Sequence, residues 1–214
     1  MKHFVVIDLE MCAVPKKNRS TFHCKNETIE IGAVLLDEEL NICDSFKTYV
    51  HPEFGVIDSY IINLTGITTK QTDTAPCFTE AMTMFLNWLP EECVLIAWSD
   101  NDKHQLQKEA FYKGFEFPGF EELLESSIDC QVDFSQKLNS PKTYNLTEAL
   151  IIADIYYDEG AHDALVDAHN TALLFAKMQK QENFTLNQYY SPQSDSHLTY
   201  NPFADLLATF STAG

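Results

Sequence analysis

The sequence predicts an α/β protein built on a mixed sheet. Three observations carry this: apolar runs of strand length come first, segments with helical spacing are interleaved later, and one short apolar run passes directly into a helix start. Residues 2–10 form the first expected strand, buried because its apolar residues occupy both faces. Residues 28–36 (TIEIGAVLL) are the second, with Gly32 marking a bulge or a close backbone approach, and residues 46–50 the third. The stretch 63–74 (NLTGITTKQTDT) is polar and turn-rich. Pro76 then opens a helix carrying Phe78, Met82, Phe85 and Leu89 and ending near Pro90. Residues 94–98 (VLIAW) are a further strand, after which Ser99 or Asp100 caps a helix that runs through Leu106, Ala110 and Phe111 to Gly114. Later helices are expected over 145–153 (NLTEALIIA) and 162–179, where Leu165, Ala168, Ala172 and Phe175 recur at helical spacing.

The chain divides into a main domain, 1–181, a polar linker-like segment, 182–200, and a tail, 201–214. In the tail Asn201 is a suitable N-cap and Pro202 a suitable first helical residue. Phe203, Leu206, Leu207 and Phe210 follow at i, i+3, i+4 and i+7, the pattern of a short amphipathic helix. Such a helix must bury its apolar stripe, either on its own domain or on a protein partner.

With 214 residues, 45% of them hydrophobic, the chain can bury one core with an appendage. The apolar run at residues 4–7 is interrupted by Asp8, and no later run approaches membrane-spanning length, so a soluble cytoplasmic protein is expected. The six cysteines show no CxxC pair or Cys/His cluster, which fits reduced thiols rather than a disulfide framework or a zinc site. The net charge is −18, and Arg19 is the sole arginine. That excludes broad electrostatic clamping of a duplex, which neutralises many phosphates with Lys and Arg.

Asp8 and Glu10 stand at i and i+2 of a strand, so both carboxylates project from one face. Oxygen donors side by side suit Mg²⁺ or Mn²⁺, although two acids at a strand terminus are also common without a function. Burying uncompensated carboxylates at the end of a core strand is costly, and a divalent ion relieves that cost. Asp100 and Asp102 follow the VLIAW strand, where open sheets place ligand-binding groups, but acids in a first helical turn are also favoured by the helix dipole. His162 and Asp167 lie in GAHDALVDAHNTA. Five positions apart is off a single helical face, so they share a site only if His162 sits in the entry loop and folds back. Histidine suits deprotonation of a water and aspartate suits a metal; alone, the pair also reads as a surface histidine and a solvated acid. Asp163 and His169 are taken as surface residues.

A strand DxE, an Asp after a later strand, and H-x4-D on a late helix, in that order, resemble the DEDDh family of 3′-to-5′ exonucleases. ETIEIGAVLLDEE, NLTGITTKQTDTAPCFTEAM and WSDNDKHQL resemble further family segments, and the tone is closest to the branch of histone-mRNA and small-RNA-trimming exonucleases and bacterial relatives. The resemblance spans residues 4 to about 178. It implies a ribonuclease H-like mixed five-stranded sheet flanked by helices, with Asp8, Glu10, Asp102 and Asp167 holding two divalent ions, Mg²⁺ or Mn²⁺, about 4 Å apart and His162 as general base. Asp102 rather than Asp100 matches the second motif, the two being close enough for the alignment to slip. Met11, Cys12, Leu64, Thr65 and Ile67 match positions lining the terminal-nucleotide pocket. The implied substrate is a single-stranded or frayed 3′ end of RNA or DNA, RNA being favoured by analogy. Asp163 and Val166 depart from the family's usual basic and acidic residues, which bears on affinity for long substrates.

Lys16, Lys17, Arg19 and Lys25 form a basic cluster after the DxE strand, expected either to guide the scissile strand or to be a solvated loop. Three other readings compete: a phosphohydrolase built on the adjacent His162 and Asp163, which would leave the DxE idle; a non-catalytic binding module of the same fold; and a polymerase-associated proofreading exonuclease docked through the tail helix.

Overall fold

The computed structural model describes residues 3–156, 160, 162–181 and 186–187. The elements in order are β1 (His3–Ala13), α1 (Arg19–Phe22), β2 (Asn26–Leu36), β3 (Ile42–Tyr49), α2 (Ser59–Thr65), α3 (Thr69–Thr72), α4 (Phe78–Trp88), β4 (Cys93–Ala97), α5 (Asp100–Lys113), α6 (Phe120–Glu125), β5 (Ile128–Asp129), α7 (Cys130–Lys137), α8 (Leu146–Ile152) and α9 (Ala164–Lys180). They build the expected five-stranded mixed sheet, in the order β3-β2-β1-β4-β5. β1 runs antiparallel to β2 and parallel to β4; β3 is antiparallel to β2 and β5 parallel to β4.

Central strand β1 is apolar on both faces because helices cover both. Val5, Ile7 and Leu9 pack with Phe78, Met82 and Phe85 of α4 and Leu106 of α5. Val6, on the opposite face, packs with Phe134, Leu150 and, from α9, Ala168, Ala172 and Phe175. Each large side chain buried in this way contributes about 1.5–3 kcal/mol. Strand alternation therefore carries Asp8 and Glu10, following Val6, onto the α9 face.

Two features of the first hairpin differ from expectation. β1 continues three residues past Glu10, because Met11, Cys12 and Ala13 pair with Thr28, Glu27 and Asn26; the bulge falls between Glu10 and Met11 rather than at Gly32. Gly32 serves close approach. A Cβ there would lie 2.2 Å from the carbonyl carbon of Ala164 and the nitrogen of Leu165, so the start of α9 rests directly on the β2 backbone. β3 begins four residues earlier than expected; its first four residues are solvent-exposed, so no apolar alternation announces them.

Both ends of α5 follow the sequence, whereas α4 starts at Phe78, two residues after Pro76, and α9 at Ala164 with Asp163 as its cap. The Ser99 hydroxyl accepts from the N–H of Asn101, and Gly114 ends α5 at φ 62°. Asn145 and Glu148 form a capping box on α8. The stretch expected as polar turns instead holds α2 and α3. Asp58 caps α2, accepting from the Ile61 N–H at 3.0 Å, and Gly66 ends it at φ 73°. The elements not expected are short, α1, α2, α3, α6 and α7 with four to eight residues and β5 with two, and show no apolar period, whereas the equally short α8 carries its capping box. No helix among the described residues is long and apolar enough to cross a membrane. Apart from residues 186 and 187, the linker-like segment and the tail helix expected at 201–214 lie outside the described residues.

Candidate active site

The expected residues converge where β1 outruns β4. β4 stops at Ala97, opposite Ile7, and the chain turns into α5. The Asp102 carboxylate, in the first turn of α5, accepts from the backbone N–H of Leu9, a donor beyond the end of the β1–β4 ladder. Asp102 is 7% exposed whereas Asp100 is exposed and gives its backbone N–H to Asp129, so Asp102 is the acid that joins the cluster. Glu10 is equally buried, and Asp8 and Asp167 are partly buried.

Helix α9 supplies the other half. His162 lies in the entry loop at φ 71° and folds back, its backbone N–H donating to Asp167 Oδ2 at 2.9 Å. A ring nitrogen of His162 and carboxylate oxygens of Glu10 and Asp167 lie within 4.8 Å of one another. The His162 side chain is exposed and faces an acid cluster on one side and solvent on the other.

Crowded carboxylates resist ionisation. Burial pushes Glu10 up from 4.5 to about 8, with Asp167, Glu30 and Asp102 adding repulsion. Burial pushes Asp102 up to about 7, against the pull of N–H groups from its own backbone and Leu9. Asp8 is raised well above the usual carboxylate range by burial, then by Asp102 and Asp167. Asp167 is raised by burial and held down in part by the backbone N–H and the charge of His162. Among the described residues no lysine or arginine pairs with any of the four.

A residue not singled out from the sequence fixes this arrangement. Glu30 stands opposite Glu10 on β2, 1% exposed, and accepts from the Ala164 N–H at 2.9 Å. Lys47 of β3 bridges Glu30 at 3.1 Å and Asp163 at 2.6 Å, and Asp163 caps α9 by accepting from the N–H groups of Leu165 and Val166. Glu30, Lys47 and Asp163 thus clamp the start of α9 to the sheet. An acid within the apolar run TIEIGAVLL was the available signal. Asp163, expected at the surface, is a half-buried, ion-paired cap, since a helix start packed on a strand must satisfy its donors there; His169 is likewise partly buried. The Asp163 cap also leaves no free carboxylate for a His162 and Asp163 phosphohydrolase site. A second buried network, Lys113 with Glu27 and Glu109, joins α5 to the start of β2. Glu27 also accepts from the backbone N–H groups of Glu53, Phe54 and Gly55.

The remaining expected residues are dispersed around the cluster. Met11 is partly buried beside it, while Cys12 and Ile67 lie in a small core with Ile29, Ile57 and Ile61. Leu64 and Thr65 are partly exposed at the end of α2, and the Thr65 hydroxyl donates to Ile61 and accepts from the Ile67 N–H. Lys16 and Lys17 are exposed; Arg19 donates from Nε to the Val14 carbonyl at 2.8 Å, so part of its capacity shapes the loop.

A mixed sheet of this order flanked by helices is the ribonuclease H-like fold of DEDDh exonuclease structures. The chain belongs to the exonuclease family RNase_T, whose pattern it matches over residues 5–175. It is 32% identical over 198 residues to ERI1 exoribonuclease 2 of Danio rerio, covering 81% of this chain and 34% of that protein. It is 26% identical to 3′-5′ exoribonuclease 1 of Rattus norvegicus, covering 82% of this chain and 52% of that one. The chain thus spans about a third to a half of these relatives. Among solved structures, the nuclease domain of 3′hExo, described as a DEDDh family member bound to rAMP, matches with a TM-score of 0.72 at 25% identity, covering 87% of this chain and 96% of that one. A 3′-exonuclease described in 3′-end recognition of the histone mRNA stem-loop matches with a TM-score of 0.69, also at 25% identity.

Proposed function

We propose that the chain is a divalent-metal-dependent 3′-to-5′ exonuclease that releases nucleoside 5′-monophosphates from single-stranded or frayed 3′ ends, RNA in preference to DNA. The observation that carries this is the convergence of four carboxylates with which no lysine or arginine among the described residues pairs, beside a histidine held by one of them. Names of relatives support both direction and RNA.

Asp8, Glu10, Asp102 and Asp167 fit Mg²⁺ or Mn²⁺: all four donors are hard oxygens, and their raised pKa values mark unneutralised negative charge. Asp8, Glu10, Asp102 and Asp167 would hold two such ions, which would supply Lewis-acid stabilisation of the charge that develops in phosphodiester cleavage. His162 accepts the proton of the attacking water. Its backbone bond to Asp167 fixes the loop that presents it, and its exposure leaves a route for that proton to solvent. Met11, Leu64 and Thr65, backed by Cys12 and Ile67, receive the terminal nucleoside, and Lys16, Lys17 and Arg19 draw the strand towards the cluster by charge. A cytoplasmic setting is supported by six cysteines that are all free thiols. A protein partner bound through residues 201–214 is part of the same proposal.

The test is incubation of the purified chain with 5′-labelled single-stranded RNA and DNA, with and without Mg²⁺ or Mn²⁺, beside Asp8→Ala and His162→Ala. A ladder shortening from the 3′ end, dependent on metal and lost in both variants, is expected. Intact label on both substrates with either metal overturns the proposal.

A further inference from the structure

Beside the acid cluster lies a cleft of about 530 Å³, within the range of about 300–1,000 Å³ typical of sites for small organic ligands. It begins at Met11, the residue after Glu10, and Asn101, the residue before Asp102, so its near end adjoins the reacting centre. From there it runs between the 23–26 segment and one face of α5. Asn101, His104, Gln105, Lys108 and Tyr112 recur at i, i+3, i+4, i+7 and i+11, a single stripe of the helix.

The lining is the reverse of the chain as a whole. With 32 acids against 14 lysines and arginines in the sequence, no Asp or Glu lines this cleft, whereas Lys25, Lys108, His23 and His104 do, all with exposed side chains. Among the described residues neither lysine pairs with an acid. At the far end the His23 and Tyr112 rings stack with centroids 5.2 Å apart, and Phe111, 77% exposed, meets Tyr112 edge-on at 5.1 Å. Unpaired cations leading to exposed aromatic faces form the platform on which a single strand lays phosphates and stacks bases.

We propose that this cleft is the track for the single strand upstream of the scissile bond: Lys25 and Lys108 face its phosphates, and the His23, Tyr112 and Phe111 rings stack a base a few nucleotides from the 3′ end. The proposal rests on the exonuclease reading and adds where the rest of the substrate lies. It also accounts for how so acidic a chain grips a polyanion, since this groove gathers cations with no acid in its lining and leads to the proposed metal ligands.

The test is fluorescence anisotropy of 5′-labelled oligoadenylates of two to eight nucleotides, with Ca²⁺ replacing Mg²⁺, for the wild-type chain, Lys25→Glu/Lys108→Glu, the milder Lys108→Gln, and Tyr112→Ala. Affinity of the wild type should rise with length over the first few nucleotides. The double variant should lose that rise, with the salt slope reduced by about 0.7 for each lysine, and Tyr112→Ala should bind the octamer about 5- to 100-fold more weakly. Thermal melts of each variant check folding; Lys108→Gln keeps the helix surface polar if charge reversal perturbs it. Variants that match the wild type at every length, or that weaken dimer and octamer equally, overturn the track. A wild type that makes no ladder yet loses length-dependent binding in these variants defeats the exonuclease reading and leaves the track standing; a ladder without that loss does the opposite.

Discussion

Replacing Glu10 with glutamine removes one charge from the crowded end of β1 while keeping the shape of the side chain. In the metal-free protein this should stabilise the fold. The Glu10 carboxyl is raised from 4.5 to about 8, and at 1.36 kcal/mol per pH unit the cost of holding it ionised has a ceiling of about 5 kcal/mol in alkaline solution. Relaxation and water entry lower such costs in real proteins, so about 1–3 kcal/mol is expected. For a chain of this length that is about 2–12 °C in melting temperature. The pH dependence has a definite sign. Because the folded value lies above the unfolded one, the stabilising protonation is complete below pH 4.5 and is lost as pH rises towards 8. The advantage of Glu10→Gln should therefore be small near pH 4.5 and grow across this window. Calorimetry in EDTA at several pH values, repeated with Mn²⁺, measures it; Mn²⁺ should raise the wild-type melting temperature more than that of the variant. A Glu10→Gln protein that melts at or below the wild type in EDTA at pH 8 would refute the claim that repulsion and burial dominate here.

Gly32→Ala places a Cβ 2.2 Å from the Ala164 backbone, which has no side-chain end to yield; a loss of at least about 1–3 kcal/mol in urea unfolding and a parallel fall in nuclease rate are expected, and wild-type values for both would contradict the close-approach role. Lys47→Met leaves Glu30 buried without its cation. Because Lys47 is 28% exposed at its side chain, the cost is discounted to about 1–2 kcal/mol, and adding Glu30→Gln should recover part of it in a double-mutant cycle. His162→Ala should lower the single-turnover rate about 100- to 10,000-fold with an unchanged melting temperature, since the side chain is exposed; a matching drop in melting temperature would assign His162 a structural role instead.

The strands and long helices were legible because each buries a face. The alternation of Val5, Ile7 and Leu9 against Val6, the stripe on α4 and the caps at Ser99 and Asn145 all carry local signals that agree with the fold. Most of the candidate site was legible in the same way: the structure brings Asp8, Glu10, Asp102, His162 and Asp167 into one cluster, and leaves Asp100 exposed outside it. What could not be read is non-local. Glu30 and Lys47 stand on adjacent strands, and Asp163 lies more than a hundred residues away in sequence. Short helices such as α3 show only a cap, Thr68 with Gln71, and no period. The cleft draws Lys25 from one loop and Lys108 from a helix, so only folding makes a basic surface of residues that are scattered through an acidic sequence.

The site is held by contacts that oppose its own charge. Asp8, Glu10, Asp102 and Asp167 repel one another, and among the described residues no lysine or arginine pairs with them; His162 offsets only part of the shift of Asp167. They nonetheless stay together because each is carried by an element fixed elsewhere: β1 by apolar packing on both faces, α5 by Leu106 and Ala110 in the core and by the Lys113 network, α9 by the Gly32 approach and the Glu30–Lys47–Asp163 clamp. The placement of cations follows from this. Lys47 neutralises Glu30 and Asp163 at the base of α9 but does not pair with the cluster, so helix position is secured without filling the proposed ligand set. A cation drawn into the cluster would relieve the strain and remove the reason to bind a metal, so the separation of clamp from cluster is what allows one acidic end of a sheet to be both rigid and ready for a divalent ion.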